Sequence, residues 1–284
     1  MSVHVVTVDA GRDNIFGRIL APLLVLAGWT HGHDVRRDAD INLFFPYLQM
    51  EGKRLPEQGV MASWFTHRDV GRPEKVRMWD DFDRQSHLRM ACADMYLTQL
   101  TPPVFKVTAF IDLPHFTPGT SPRPKGVVGT SGYIYPEGRK GEALYAELAA
   151  DILFAGVTFT ATTPGWGVPA RPRGWGAMPG YYRGLSVYVC TSLIEGTGHG
   201  PLEALACGVP VVVPTGVGVF DELYSPAPAI FRYPAGDYLG LAQALDQALE
   251  YSGDARQDEC REVVSRFTVE AWVGDITRAL SAVR

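Results

Sequence analysis

The spacing of apolar positions changes along the chain, and each change marks an element. Residues 3–8 form a short β-rich run, a polar turn follows at 9–14, and Ile15, Phe16, Ile19, Leu20, Leu23 and Leu24 then recur at helical spacing. This predicts strand, turn and amphipathic helix, with Pro22 expected to kink the helix at a cost of ~3 kcal/mol. Further strand-like runs lie at 41–47, 60–66 and 106–110, and a helix is predicted over 84–99. Alternation of strand and helix calls for a parallel sheet covered on both faces.

Residues 114–124 hold four prolines and Gly119 with few apolar positions, so they read as a stiffened linker. A boundary there divides the chain into a first domain, 1–117, and a second, 118–284. The alternation then restarts, with strands at 126–129, 157–160, 186–189 and 209–213 and a helix at 142–154. Two amphipathic helices, 237–251 and 268–283, close the chain, and both are expected to be packing helices. Residues 164–180, with four prolines, five glycines and two tryptophans, fit no regular element. They read either as a surface insertion or as a loop on the ligand side.

A length of 284 residues suits about two domains of ~150 residues. At 46% hydrophobic and 20% charged residues, the chain is too apolar for disorder. Its longest apolar runs, at 19–29 and 204–214, fall short of the ~20 residues that a membrane-spanning helix needs. The start of the chain has no basic leader, and Cys92, Cys190, Cys207 and Cys260 show no C-x-x-C spacing. A cytoplasmic location with free thiols is expected, and zinc is disfavoured. The net charge of −5 is uneven: residues 195–284 carry 6 Lys/Arg against 13 Asp/Glu, which excludes that half as a nucleic-acid surface.

The chemistry concentrates in 187–214. A buried strand enters a glycine-rich turn, a helix begins near Pro201 and stops at Gly208, and another buried strand follows. The opening amides of a helix have no partner within it and carry the positive end of its dipole, which suits a phosphate. Gly196, Gly198 and Gly200 would let a ligand approach the backbone closely. Glu195 and Glu203, eight positions apart, could accept hydrogen bonds from the hydroxyls of a sugar or a ribose. The same residues also read as a structural glycine turn with an acid favoured at a helix start.

Residues 195–212 resemble, position by position, the E-G-x-G-x-x-x-x-E-A-x-A-x-G-x-P-V-V segment of the family 4 retaining glycosyltransferases. Looser matches stand in the family's order: Gly32-His33-Asp34-Val35, Phe110-Ile111-Asp112 with Phe116 to Pro118, Gly138-Arg139-Lys140-Gly141, and the closing helix from Phe267 to Trp272. The resemblance implies an α/β fold of two Rossmann-like domains facing across a cleft, with the last helix returning to the first domain. It also implies a metal-independent transferase that takes a nucleoside-diphosphate sugar as donor, needs no cofactor and retains anomeric configuration.

By the same resemblance Glu203 would bind the ribose and Glu195 the transferred sugar. The diphosphate would be held by Lys140, the amides of Gly198, His199 and Gly200, and the helix opening at Pro201 and Leu202. Gly129 would line the donor site. His67 resembles a strand-end histidine that faces the donor across the cleft and is the third catalytic candidate beside Glu195 and Lys140; a surface or helix-cap role is the alternative. Gly11 and Arg12 stand in a reduced version of the family's first loop and could serve a phosphate or the acceptor. Where the family carries Gly-Arg after the first strand of the second domain, Gly129 is followed here by Thr130 and Ser131, with Arg139 beside Lys140 able to supply the missing cation.

Two rivals remain. A dinucleotide-dependent oxidoreductase lacks its G-x-G-x-x-G after the first strand, where only Gly11 and Gly17 lie. A non-catalytic nucleotide-sugar-binding protein would keep the donor residues. The acceptor is left open: a small molecule, a glycan, a protein or, as in phage-type DNA base glycosyltransferases, modified DNA.

Overall fold

The computed structural model describes residues 1–8, 14–107, 109–218, 220–221, 227–253 and 256–283. The chain divides into two compact units, Met1–Phe110 with Val269–Arg284, and Ile111–Thr268. The division falls ahead of the proline-rich linker because Phe116, inside the linker, is fully buried against Trp175 and Tyr182 of the second unit.

Among the described residues the first unit holds six parallel strands: β1 (Val3–Val6), β2 (Thr30–Gly32), β3 (Ile41–Phe44), β4 (Val60–Phe65), β5 (Leu88–Ala91) and β6 (Val104–Lys106). Their order is β2-β1-β3-β4-β5-β6. Helices α1 (Ile15–Ala27), α2 (Pro73–Gln85) and α3 (Asp94–Leu97) belong to this unit. Asn14 opens α1 by accepting the Gly17 amide at 2.8 Å, and Gly28 closes it in a left-handed conformation. The helix runs through Pro22 without a break. Ile19, Leu20 and Leu23 are all buried, and their packing offsets the proline's cost.

The helix predicted at 84–99 is replaced by the end of α2, strand β5 and the single turn α3. Leu88 to Ala91 are buried on both faces, so the run lacks the two-residue alternation that identifies a half-exposed strand. The one charge in it, Arg89, is neutralised by Asp83 at 2.8 Å. The strand expected at 106–110 forms two residues earlier, at Val104–Lys106.

The second unit holds β7 (Val127–Thr130), β8 (Thr158–Ala161), β9 (Val187–Val189), β10 (Val211–Thr215) and β11 (Ile230–Pro234), all parallel, in the order β11-β10-β9-β7-β8. Its helices are α4 (Glu142–Ala150), α5 (Met178–Arg183), α6 (His199–Ala206), α7 (Tyr238–Tyr251) and α8 (Gln257–Val264). The last helix, α9 (Val269–Ser281), packs beside α1 in the first unit through Trp272, Ile276 and Leu280.

Helix α4 ends at Ala150, short of the expected 154, because Asp151 turns back to accept the Leu153 amide and a 3₁₀ turn follows. Residues 164–180, expected to be irregular, end in the 3₁₀ turn Trp175–Ala177 and the start of α5. Strand β11 and helix α8 have no counterpart in the sequence reading.

Candidate functional site

In the second sheet the strand order reverses between β7 and β9, which lie side by side with Val128 opposite Val187 and Gly129 opposite Tyr188. Ligands of open parallel sheets bind outside the carboxyl ends of strands at such a reversal. Residues 131–141 leave β7 there, and residues 190–198 leave β9 and enter α6.

The two segments are strapped together. Thr191 Oγ1 donates to the Lys140 carbonyl and the Leu193 amide to the Arg139 carbonyl, both at 2.8 Å. Gly141 lies so close that a Cβ would sit 2.1 Å from the Thr191 oxygen, and its φ of 66° is left-handed, so only glycine fits.

The straps bring Lys140 Nζ onto Glu195 Oε1, and Ser192 Oγ donates to the same oxygen at 2.6 Å. Both charged side chains are about 15% exposed. Burial opposes the Glu195 charge, but the Lys140 ammonium and the hydrogen bonds from Lys140 and Ser192 hold the carboxyl below the usual range. Nearby, the Arg139 guanidinium lies 3.7 Å above the Tyr135 ring.

Helix α6 begins at His199, two residues before Pro201, with Gly198 as a left-handed N-cap. Gly198 has no side chain to occupy the opening amides, and the dipole of α6 adds positive potential there. His199 and Gly200 are half-buried, while Pro201 and Leu202 are buried beneath them. A Cβ on Gly200 would lie 2.3 Å from Tyr188 Oη, so the close approach that glycine permits here is to the protein's own tyrosine.

Glu203, 6% exposed, lies one turn further along α6 and accepts the Tyr182 hydroxyl on Oε2 at 2.6 Å. Tyr182 Oη lies 3.4 Å from Ser131 Oγ, which is 2.9 Å from Tyr188 Oη. Burial and then the Glu203 charge push the Tyr182 hydroxyl well above the usual phenol range, so it stays protonated and can donate.

The second unit thus brings Lys140 onto Glu195 and sets Gly198, His199, Gly200, Pro201, Leu202 and Glu203 on one short helix start. Gly129 is a buried strand residue whose missing side chain makes room for Leu185 and Tyr181. His67 is half-buried in the loop after β4, in the first unit. Gly11 and Arg12 lie outside the described residues.

Residues 164–180 reach the strand-end side of the second sheet. Thr163 Oγ1 and the buried Trp166 Nε1 both donate to the Gly132 carbonyl, at 2.5 and 3.2 Å. Ser192, Tyr182 and Tyr188 escaped the sequence reading. Ser192 could have been found as a hydroxyl three positions before Glu195, whereas the tyrosines carry no local signal. Among the described residues, no helix is long and apolar enough to cross a membrane.

Comparison with known proteins gives three findings. Residues 172–263 match the family model "Glycosyl transferases group 1", and this stretch contains α5, both glutamates and α6. The lipopolysaccharide core biosynthesis mannosyltransferase LpsB of Rhizobium meliloti is 52% identical over 46 residues, which span 16% of this chain and 13% of that protein. Among solved structures, sucrose-phosphate synthase from Thermosynechococcus elongatus aligns over 100% of both chains with a TM-score of 0.76 at 16% identity. HepE of Anabaena, solved in complex with UDP and glucose, aligns over 99% of this chain and 100% of its own with a TM-score of 0.72 at 14% identity. At these identities the likeness shows the fold, the two-sheet α/β architecture of the B-type glycosyltransferases.

Proposed function

We propose that this chain is a glycosyltransferase that moves a sugar from a nucleoside-diphosphate sugar to an acceptor hydroxyl. The observation that carries the reading is the clustering at the β7/β9 reversal. There the Lys140–Glu195 pair is strapped beside the start of α6, and Glu203 stands on that same helix. The group 1 match over this stretch and the UDP and glucose bound to HepE support the same donor class and make uridine diphosphate sugars the first to test.

In this proposal Glu203 accepts hydrogen bonds from the ribose and Glu195 from hydroxyls of the sugar. The amides of residues 198–200 and the Lys140 ammonium receive the diphosphate. The bond from the sugar's anomeric carbon to the diphosphate oxygen breaks. A bond from that carbon to the acceptor oxygen forms on the same face, and the acceptor's proton passes to the departing phosphate. Configuration is thereby retained. The charge that develops on the leaving group meets fixed dipoles and an ammonium, so the charge balance calls for no divalent cation. His67 in the first unit is proposed to assist the transfer, and Gly11 and Arg12 to contribute to phosphate or acceptor binding.

The test incubates the full chain with uridine-, guanosine-, adenosine- and thymidine-diphosphate sugars and follows nucleoside-diphosphate release, with and without EDTA. Turnover of at least one donor, insensitive to EDTA and yielding a product of retained configuration by NMR, is the expected result. Binding of a donor without release of diphosphate under any condition would instead favour a non-catalytic nucleotide-sugar-binding protein.

A further inference from the structure

The donor reading assigns Glu203 to the ribose but leaves the buried tyrosines of the second unit without a role. Tyr182 lies on α5, 21 positions before Glu203, and its hydroxyl donates to Oε2 at 2.6 Å. A carboxylate can only accept, so the single Tyr182 proton is committed to Glu203. The 3.4 Å contact with Ser131 must then take its proton from Ser131, and the 2.9 Å contact between Ser131 and Tyr188 takes its proton from Tyr188. The hydroxyls form one directed series that ends on the carboxylate, with each donor polarising the next.

The Tyr182 ring is held edge-on against Phe116 at 6.0 Å and Tyr188 at 5.7 Å, and it is tilted against Tyr181 at 5.6 Å. Three aromatic neighbours therefore fix where its hydroxyl points. By holding Oε2, that hydroxyl restrains the rotation of the carboxylate plane and with it the direction of Oε1.

We propose that Tyr182 is a positioning residue for donor recognition: through its hydrogen bond to Oε2 it orients Glu203 toward the ribose hydroxyls, so that the tyrosine acts in selecting ribo- over 2′-deoxyribonucleotides. The proposal rests on the donor reading above. It assigns the selectivity to the Tyr182–Glu203 pair rather than to Glu203 alone. An acceptor held in the required orientation gains more from the hydroxyl it faces than a less restrained one, because the ordering is built into the fold.

The test measures binding of uridine, guanosine and adenosine diphosphates and their 2′-deoxy counterparts by calorimetry on the full chain. The wild type, Tyr182→Phe, Glu203→Gln and the double variant are compared. Phenylalanine keeps the ring contacts and removes only the hydroxyl. The wild type is expected to prefer a ribonucleotide. Tyr182→Phe is expected to weaken that ribonucleotide about tenfold while changing the 2′-deoxy analogue less than about threefold. With the matching nucleotide sugar, KM should rise by a similar factor at nearly constant kcat.

The double variant is expected to match Glu203→Gln alone, since a residue acting through another adds nothing once that one is altered. If Tyr182→Phe left the ribo/deoxy ratio unchanged, or added its full effect to Glu203→Gln, the inference would be overturned while the donor reading stood. A wild type that bound none of the nucleotides would overturn the donor reading, and this inference with it.

Discussion

Replacing Lys140 by methionine separates the electrostatics of the site from its packing. Methionine keeps most of the side-chain length and removes the ammonium, while the Ser192 hydroxyl still donates to the Glu195 carboxylate at 2.6 Å and the Arg139 charge still acts on it. With both partners only about 15% exposed in the wild type, a Glu195 carboxylate that has lost its ammonium falls in the range where breaking a buried pair costs about 3–5 kcal/mol. Protonation sets a ceiling, because a carboxyl of ordinary pKa near 4.3 can be neutralised at pH 7 for about 4 kcal/mol. A loss of about 3 kcal/mol at pH 7 is therefore expected.

The sign of the pH dependence is the sharper test. In the wild type the folded-state Glu195 pKa is depressed, so its contribution is present above the unfolded carboxylate pKa and fades as pH falls through the folded value. In Lys140→Met the ammonium is gone, and burial, the largest influence on this carboxyl, outweighs Ser192 and Arg139 and raises the folded pKa. The variant then loses stability as pH rises from the unfolded value toward the raised one. The gap in melting temperature should grow from about 2–3 °C at pH 4.5 to roughly 6–10 °C at pH 7. Calorimetric melting at both pH values reads it, and adding Glu195→Gln to Lys140→Met should recover most of the loss at pH 7. A gap that is independent of pH, or wider at pH 4.5, would refute the argument.

Three further outcomes follow from the geometry. Gly141→Ala must abandon a left-handed φ and push a methyl into the Thr191 carbonyl, so a loss of about 3 kcal/mol or more is expected in urea melts; Gly156→Ala, with open space around it, should be neutral or slightly stabilising. Arg261→Met removes hydrogen bonds to the carbonyls of Phe116 at 2.7 Å, Ala206 at 2.8 Å and Leu113 at 3.0 Å; about 2–4 kcal/mol should be lost, with only partial rescue by lysine, and a loss below about 0.5 kcal/mol would contradict the assignment. All four thiols are buried, and burial pushes Cys190 up to about 11 and Cys207 and Cys260 up to about 12. Native protein at pH 8 should therefore react slowly with a thiol-disulfide reagent and release its thiols only on denaturation; fast native labelling would count against this packing.

What could be read from the sequence divides by the range of the contacts involved. The segment from Glu195 to Val212 was legible because its turn, helix start, helix stop and following strand are all local, and Val211 to Val213 are as deeply buried as an uninterrupted apolar run implies. Residues 88–91 were misread as helix because a strand buried on both faces shows no alternation. Strand β11 was hidden by Arg232 and Pro234, which suit the sheet edge it occupies, and α8 by its scarcity of apolar positions, with only Cys260 and Val264 buried.

Sequence also placed Lys140 and Glu195 in a common site, but it could not show that they pair with each other. That contact spans 55 positions, and it depends on β7 and β9 lying side by side. The hydroxyl series from Tyr188 to Glu203 depends on the same adjacency. The glycine at 200, read as an opening for a ligand, is required just as much by the tyrosine beneath it.

The start of α6 and its glutamate are proposed to hold a nucleotide sugar. Ligand-dependent melting of the wild type and Glu203→Gln against a panel of nucleoside-diphosphate sugars tests it most directly, because a ligand that binds only the folded state raises the melting temperature with its concentration. At least one donor should raise the wild-type transition by several degrees at about a hundred times its Kd. That shift should be largely absent in Glu203→Gln, whose unliganded transition stays close to wild type. Equal shifts in both proteins, or none in the wild type with any donor, would contradict the proposal.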